Sequence, residues 1–155
     1  MRCQFHQLLC RSNTPSISTL IVGLIICSVN YLRILDQIPA DIEEHNGTTA
    51  SWLRREVTEL ASILQQLRRH LESHQNSTRE RILLNQWDTI FLVLTDAVKT
   101  FTELEPLIGP LITTRSVGPQ GLIIWRKRWK ILAEKARRIE EYNMVCFTVL
   151  KMLQW

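Results

Sequence analysis

The fold is decided by residues 82–105, which read ILLNQWDTIFLVLTDAVKTFTELE and contain neither Gly nor Pro. Apolar residues recur there at alternating steps of three and four, the spacing that places them on one side of an α-helix. This apolar stripe consists of Leu84, Trp87, Phe91, Leu94, Val98 and Phe101. We therefore predict a long helix that buries its stripe against other helices.

Three other segments carry a helical pattern. Residues 16–35 are almost entirely apolar, and Ser16 or Ser18 is available as an N-terminal cap. Residues 49–73 and 122–153 carry apolar residues at heptad-like steps, which are typical of helices that pack as in coiled coils. The first of these two seams is Leu53, Val57, Leu60, Leu64, Leu67 and Leu71, and the second is Trp125, Trp129, Leu132, Ala136, Ile139, Asn143, Cys146, Leu150 and Leu153.

Proline and glycine predict the helix ends. Pro39 is expected to end the first helix, and Pro106 to stop the third helix, which starts near Arg79. Residues 108–121 hold three Gly and two Pro, so we expect a connecting loop there. A chain of 155 residues with 45% hydrophobic content supports one core. The sequence predicts an all-α four-helix bundle with an apolar N-terminal helix and long amphipathic helices.

The heptad seams have two explanations, an intramolecular bundle core and self-association. Asn143 lies on the seam of the last helix, where a polar residue can set register or partner number. The same residue can also be a tolerated position at the edge of a core. The sequence leaves both alternatives open.

Four stretches together resemble one known domain family. They are LTDAVKTFTELE at 94–105, PSISTLIVGL at 15–24, EVTELASILQQL at 56–67 and TVLKMLQ at 148–154. Their residue patterns and their order resemble the fungal N-terminal domain at the front of many STAND-type and ankyrin-repeat receptors, also named after azaphilone pigment biosynthesis cluster protein L. The resemblance covers residues 15–155. Residues 1–14 precede it as a leader that we expect to be disordered.

This resemblance implies a non-catalytic signalling or adaptor domain in the cytoplasm, acting through protein partners or self-association. Related HeLo-like domains imply an alternative, a membrane-active module in cell-death signalling whose first helix leaves the bundle and enters the bilayer. The inserting residues would be Ile17, Leu20, Ile21, Leu24 and Ile25. A more distant alternative is a small membrane-anchored protein.

Hydropathy leaves the role of the first helix open. A membrane-spanning helix needs about 20 predominantly apolar residues, and Arg33 and Asp36 end this apolar run near that length. The centre of a bundle also requires a helix that is apolar on all sides. Buried core, reversible membrane insertion and a fixed anchor or signal peptide are therefore all consistent with this segment.

The last helix is the basic part of the chain. Residues 115–155 contain nine Lys or Arg against three Glu. The candidate contact face is Arg126, Lys127, Arg128, Lys130, Arg137 and Arg138. Cations interleaved with Trp125 and Trp129 suit an anionic membrane surface, whereas a buried Trp stripe with a solvated basic side is the simpler reading. Nucleic acid is the less favoured partner.

No sequence motif indicates catalysis. A Gly-rich phosphate loop, a Gly-x-Ser-x-Gly elbow and a His-Glu-x-x-His helix are all missing from the sequence. His70 and His74 lack a third ligand, and the early Cys3, His6 and Cys10 lack zinc-site spacing. We therefore expect no enzyme activity, no cofactor, no metal and no small-molecule substrate. Cys27 and Cys146 fall on apolar stripes and suit a reducing compartment.

Overall fold

The structure is a computed structural model that describes residues 16–38, 49–73, 80–113 and 119–154, without the side chains of 80–85, 111–113 and 119–125. This part of the chain forms four helices and no strand: α1 is Ile17–Leu35, α2 Thr49–Ser73, α3 Glu80–Thr113 and α4 Pro119–Gln154. The prediction of an all-α fold with an apolar first helix is confirmed. The predictions for residues 1–14, for Pro39 and for the side chain of Trp125 lie outside the described residues.

The helices form a four-membered ring in cross-section. Helix α1 packs against α2 and α3, and α4 packs against the same two helices, so the ring order is α1–α2–α4–α3. Helices α3 and α4 are antiparallel, because Gln86 contacts Met152 near one end and Glu103 contacts Lys135 toward the other. Helices α1 and α2 are antiparallel as well. The start of α1 and the end of α2 line one cleft, and Arg54 of α2 reaches the last carbonyl of α1.

The length of the segment between α2 and α3 determines the relative direction of these two helices. Hydrogen bonds place Phe101 of α3, Tyr142 of α4 and Glu56 of α2 near one level of the bundle. The seven peptide steps from Ser73 to Glu80 reach at most about 25 Å. With a rise of about 1.5 Å per residue, those ends would be about 55 Å apart if α2 and α3 were parallel. Helix α3 is therefore parallel to α1, and α4 is parallel to α2.

The first two helices have the predicted bounds. Ser16 has an extended backbone with φ −70° and ψ 155°, and its Oγ accepts from the Thr19 backbone N–H at 3.2 Å. This bond satisfies one of the free N–H groups at the start of α1 and confirms Ser16 as the cap. Helix α2 spans the whole segment between residues 49 and 73, as its seam predicts.

The predicted seams of α2 and α4 form most of the core. In α2 the residues Leu53, Val57, Leu60, Leu64 and Leu67 are buried, and Leu71 packs against them half-buried. In α4 the buried seam residues are Trp129, Leu132, Ala136, Ile139, Asn143, Cys146, Leu150 and Leu153. Heptad spacing predicted both sets because each helix packs lengthwise along its neighbours.

Helix α3 differs from its prediction at the end. It continues to Thr113 and includes Pro106 and Pro110, so the prediction that Pro106 stops the helix is wrong. Each proline removes one backbone hydrogen bond. Pro106 is exposed, whereas Leu104 and Ile108 on either side of it are buried. Burial of these two side chains holds the helical turn in which the proline sits.

The buried side of α3 is rotated relative to the predicted stripe. Trp87, Phe91 and Val98 are only half-buried. The fully buried apolar residues among those described are Ile90, Leu94, Ala97, Phe101, Leu104 and Ile108. The stripe is turned by about one residue because α3 has to contact both α1 and α4.

The predicted loop at 108–121 is shorter than expected. Residues 108–113 belong to α3, and α4 begins at Pro119 rather than at residue 122. Proline suits the first turn of a helix, where its missing N–H has no intrahelical partner to lose.

Candidate interaction surfaces

Helix α1 contributes its inner side to the core. Of the five predicted inserting residues, Leu20, Ile21 and Leu24 are fully buried, and Ile17 and Ile25 are half-buried against the core. Insertion of these side chains into a bilayer would therefore require α1 to leave the bundle. Its departure would expose the apolar surfaces of α2 and α3 that now pack against it.

The outer side of α1 exposes two large apolar side chains. Ile26 and Val29 are 49% and 41% exposed, and Arg33 is the first charged residue of the helix. Within the described part of the chain, α1 is the helix whose length and composition would suffice to cross a membrane. The outer surface of α1, Ile26 and Val29, is therefore a candidate for contact with lipid or protein.

A polar layer connects α1, α3 and α4 inside the bundle. The Tyr31 hydroxyl donates to the Phe101 carbonyl oxygen, and the two rings lie 5.2 Å apart between centroids. The Tyr142 hydroxyl donates to the Asp96 carboxylate and lies 2.9 Å from the buried Thr100 Oγ1. Burial, followed by the hydrogen bond to Asp96, raises the pKa of Tyr142 to about 12. These bonds fix α3 in register with α1 and α4.

Asn143 extends this layer to α2. Its Nδ2 donates to both the backbone carbonyl and the Oε2 of Glu56, each at 3.0 Å. The Glu56 carboxylate is buried and accepts two further bonds from Arg55, at 2.8 and 2.9 Å. The hydrogen bond to Glu56 raises the pKa of the Arg55 guanidinium. Asn143 is thus a pairing residue between α2 and α4, which supports the register explanation.

A half-buried ion pair joins α3 and α4 beyond the polar layer. The Lys135 ammonium contacts the Glu103 carboxylate, and the Lys135 side chain is the less exposed partner. This hydrogen bond lowers the pKa of Glu103. Coulombic attraction to Lys135 and Lys99 acts in the same direction, against desolvation.

The predicted basic residues lie on α4 but do not form one uniform face. Arg126, Lys127, Lys130 and Arg137 are exposed, whereas Arg128 and Arg138 are half-buried. Glu134 and Glu141 are exposed among them, and Arg137 approaches Glu141 at 4.0 Å. Trp129 is buried in the core. This placement fits a solvated basic side better than a Trp residue seated among lipid headgroups.

Sequence reasoning missed an exposed apolar surface on α4. It consists of Met144, Phe147 and Met152, which are 61%, 47% and 48% exposed, and we refer to it as the α4 surface. The Lys151 ammonium lies 5.1 Å from the Phe147 ring centroid, and Gln86 Nε2 approaches Met152 Sδ at 3.0 Å. The heptad pattern could have predicted that these side chains are exposed, since all three residues fall outside the core positions of the last helix.

The described histidine and cysteine residues are not brought together with other metal-ligating side chains. Among the described residues, no group of three His, Cys, Asp or Glu side chains could hold a metal ion. His70 is half-buried, and His74 and the early Cys3, His6 and Cys10 lie outside the described residues. Cys27 and Cys146 are buried, as their apolar stripes predict, and burial raises the pKa of the Cys146 thiol to about 11. A cleft of about 380 Å³ between α1 and α2 is lined mainly by aliphatic and hydroxyl groups.

The segments that carry the family resemblance lie in or beside α1, α2, α3 and α4, in chain order. Comparisons with protein-family models, curated proteins and solved structures found no match.

Proposed function

We propose that the chain is a non-catalytic helical signalling or adaptor domain, similar to the N-terminal module of fungal STAND-type receptors, that works in the cytoplasm through protein contacts. The observation that carries the proposal is the α4 surface. Three large apolar side chains are exposed within nine residues of one helix, and the opposite side of that helix is fixed in the core. Exposed apolar clusters of this kind are typical of sites that bind other proteins.

The polar residues support the same function. Inside the bundle, Tyr142 of α4 bonds to Asp96 of α3 and Asn143 of α4 bonds to Glu56 of α2, and these bonds set helix register. Contacts, rather than chemistry, are what this arrangement supports.

The test is photo-crosslinking of this chain to other proteins in cells that express it. The wild type is compared with two surface variants. Met144→Glu with Phe147→Glu changes the α4 surface, and Ile26→Asp with Val29→Asp changes the outer surface of α1. All four positions are exposed, so both variants should fold. We expect the α4 variant to lose specific crosslinked proteins that the α1 variant retains. Identical crosslinked sets for all three proteins would contradict the proposal.

A second candidate function is a membrane-active module, and the observation that favours it is the exposure of Ile26 and Val29 on the outer side of α1. Together with the buried residues of the same helix, they give an element that is predominantly apolar. In this function, Ile17, Leu20, Ile21, Leu24 and Ile25 would enter the bilayer after α1 separates from the bundle.

Flotation with anionic liposomes distinguishes the two functions. Insertion by α1 predicts flotation that Ile26→Asp with Val29→Asp reduces and that moderate salt does not. Attraction by the basic residues predicts flotation that Arg126→Glu with Lys130→Glu reduces and that salt abolishes. If the wild type stays in solution at low salt, the membrane functions are excluded under these conditions and the protein-contact function stands.

A further inference from the structure

We propose that the α4 surface binds the same surface of a second copy of this chain, with the two α4 helices antiparallel. This inference rests on the proposed protein-contact function and names the partner of its site. The outward side of α4 carries its own heptad steps of four and three, at positions that are all exposed. These positions are Lys130, Glu134, Arg137, Glu141, Met144, Thr148 and Lys151.

The apolar part of this outward seam is short and lies near the end of the helix. Met144 and Thr148 are each two residues from position 146, and Phe147 lies beside them. A two-fold axis at the level of Cys146 places Met144 of each copy against Thr148 of the other. The two Phe147 rings then approach across the axis, since each lies on the same flank of its helix. An isologous contact of this kind buries Met144 and Phe147 of both copies at once.

The charges at the two ends of the surface are placed so that the same two-fold axis brings opposite charges together. Glu141 and Lys151 are exposed and lie five residues before and after position 146. Antiparallel pairing therefore sets Glu141 of each copy opposite Lys151 of the other, which gives two attractive pairs. Glu140, half-buried beside Glu141, adds negative charge at the same end. Parallel pairing would instead set Glu141 against Glu141 and Lys151 against Lys151, so the charge pattern selects the antiparallel arrangement.

The partner is a second copy because the surface complements itself. An apolar partner without charges would gain no attraction from Glu141 and Lys151 at the rim of the contact. The contact is small, since it uses one helix end of each copy, so the dimer should be weak and depend on concentration. The core residues of α4 point the other way and do not change on association.

The experiment is sedimentation analysis of the full chain at about 10 to 200 µM, a range that reports weak dimers. We expect the wild-type mass to rise toward that of a dimer with concentration. Glu141→Lys and Lys151→Glu should each raise the dissociation constant at least about tenfold, because each change creates two repulsive pairs per dimer. The double variant should return to within about threefold of the wild type, since the exchanged charges attract again.

A mixture of the two charge variants and two control variants show whether association depends on the proposed contact. An equimolar mixture of the two single variants should associate more tightly than either variant alone, because both cross-pairs are then attractive. Met144→Glu should abolish association, whereas Leu92→Glu on α3, at a position 67% exposed, should not. Circular dichroism of each variant shows whether the fold is retained. A double variant that fails to recover, or a Met144→Glu variant that still dimerises, would overturn the proposed contact.

The outcome separates this inference from the proposed function. A wild type that stays monomeric over the whole range, while Met144→Glu with Phe147→Glu still loses crosslinked host proteins, overturns self-association and leaves the adaptor function in place. Dimerisation with the expected charge dependence, together with crosslinked host proteins that do not respond to the α4 variant, supports the dimer and contradicts the adaptor function.

Discussion

Asn143 shows how one polar residue specifies the packing of two helices. It lies in an otherwise apolar seam and donates to two oxygen atoms of Glu56 on the neighbouring helix. A shift of either helix by one turn would leave the buried Glu56 carboxylate without this donor, which is costly in an apolar surrounding. Leucine at position 143 would add apolar contact but would not distinguish the correct register from a shifted one.

Replacement of Asn143 by Leu should destabilise the fold by about 1 to 3 kcal/mol, the cost of leaving a buried acceptor without its partner. Glu56→Leu alone should also destabilise it, because the Asn143 amide then loses its side-chain acceptor and keeps only the backbone carbonyl of residue 56. The double variant should lie within about 1 kcal/mol of the wild type, since no unpaired group is left buried. Chemical denaturation of the four proteins measures this cycle, and additive effects would contradict the pairing.

The Glu103–Lys135 pair should contribute to the pH dependence of stability. The pKa of Glu103 is lowered in the folded state by the hydrogen bond from Lys135. Its contribution is therefore present above the pKa of the unfolded chain and is lost as pH falls through the lowered folded pKa. We expect Glu103→Gln to be less stable than the wild type at pH 7, with the difference vanishing in acid.

Thermal unfolding at a series of pH values checks this expectation. Glu72→Gln is the matched control, because Glu72 pairs with Arg68 at 2.8 Å within one helix and both side chains are exposed. Such pairs contribute little at any pH. A Glu103→Gln difference that stays constant from pH 7 into acid would show that Lys135 does not stabilise the carboxylate.

At the scale of the element, α3 keeps its helical geometry through two prolines. Pro106 and Pro110 are four residues apart and therefore lie on the same side of the helix, away from the buried Leu104 and Ile108. Local propensity alone would end the helix before Pro106, at a cost of about 3 kcal/mol for continuing. Packing of the last turns against neighbouring helices offsets this cost, which is a tertiary effect.

Substitutions in these turns should stabilise the protein. Gly109 is exposed, and a methyl group added there would meet no atom within 4 Å, so Gly109→Ala should gain about 0.5 to 1 kcal/mol. Pro106→Ala should gain about 1 to 3 kcal/mol by restoring one helical hydrogen bond. Differential scanning calorimetry of both variants measures the gain. If Pro106→Ala lowers the melting temperature, the helix does not run through residue 106 in solution.

At the scale of the whole molecule, α1 is part of the common core rather than an appendage. It packs against both α2 and α3, and its Tyr31 is bonded to the α3 backbone. Removing it would expose apolar surface on two helices, at roughly 25 cal/mol for each Å² uncovered. A membrane function therefore requires an event that breaks these contacts, such as a conformational change that lipid or a partner favours.

Ile21→Asp should unfold the entire bundle, because Ile21 is fully buried and an unpaired carboxylate there costs several kcal/mol. Ile26→Asp, on the exposed side of the same helix, is the matched control and should leave the fold intact. Circular dichroism and limited proteolysis provide the readouts. Survival of a protease-resistant fragment spanning 49–154 in the Ile21→Asp variant would show instead that α1 is detachable.

The sequence by itself determined the helices, their number and most of the core. Repeats of three and four residues are properties of the local chain, so the seams of α2 and α4 were readable without any long-range contact. The candidate interaction surfaces were harder to predict from the sequence. The apolar residues of α1 were identified as a group, but whether Leu20, Ile21 and Leu24 face core or lipid depends on what packs against them.

Only the tertiary structure decided which side of each helix is covered. It determined which side of α3 is buried and that this helix continues beyond Pro106. It also brought Asn143 into contact with Glu56, a residue 87 positions earlier in the chain. It also left Met144, Phe147 and Met152 outside the core. The physical reason is that exposure and pairing are set by neighbouring helices, whereas helix formation and amphipathic spacing are set by residues within a few turns.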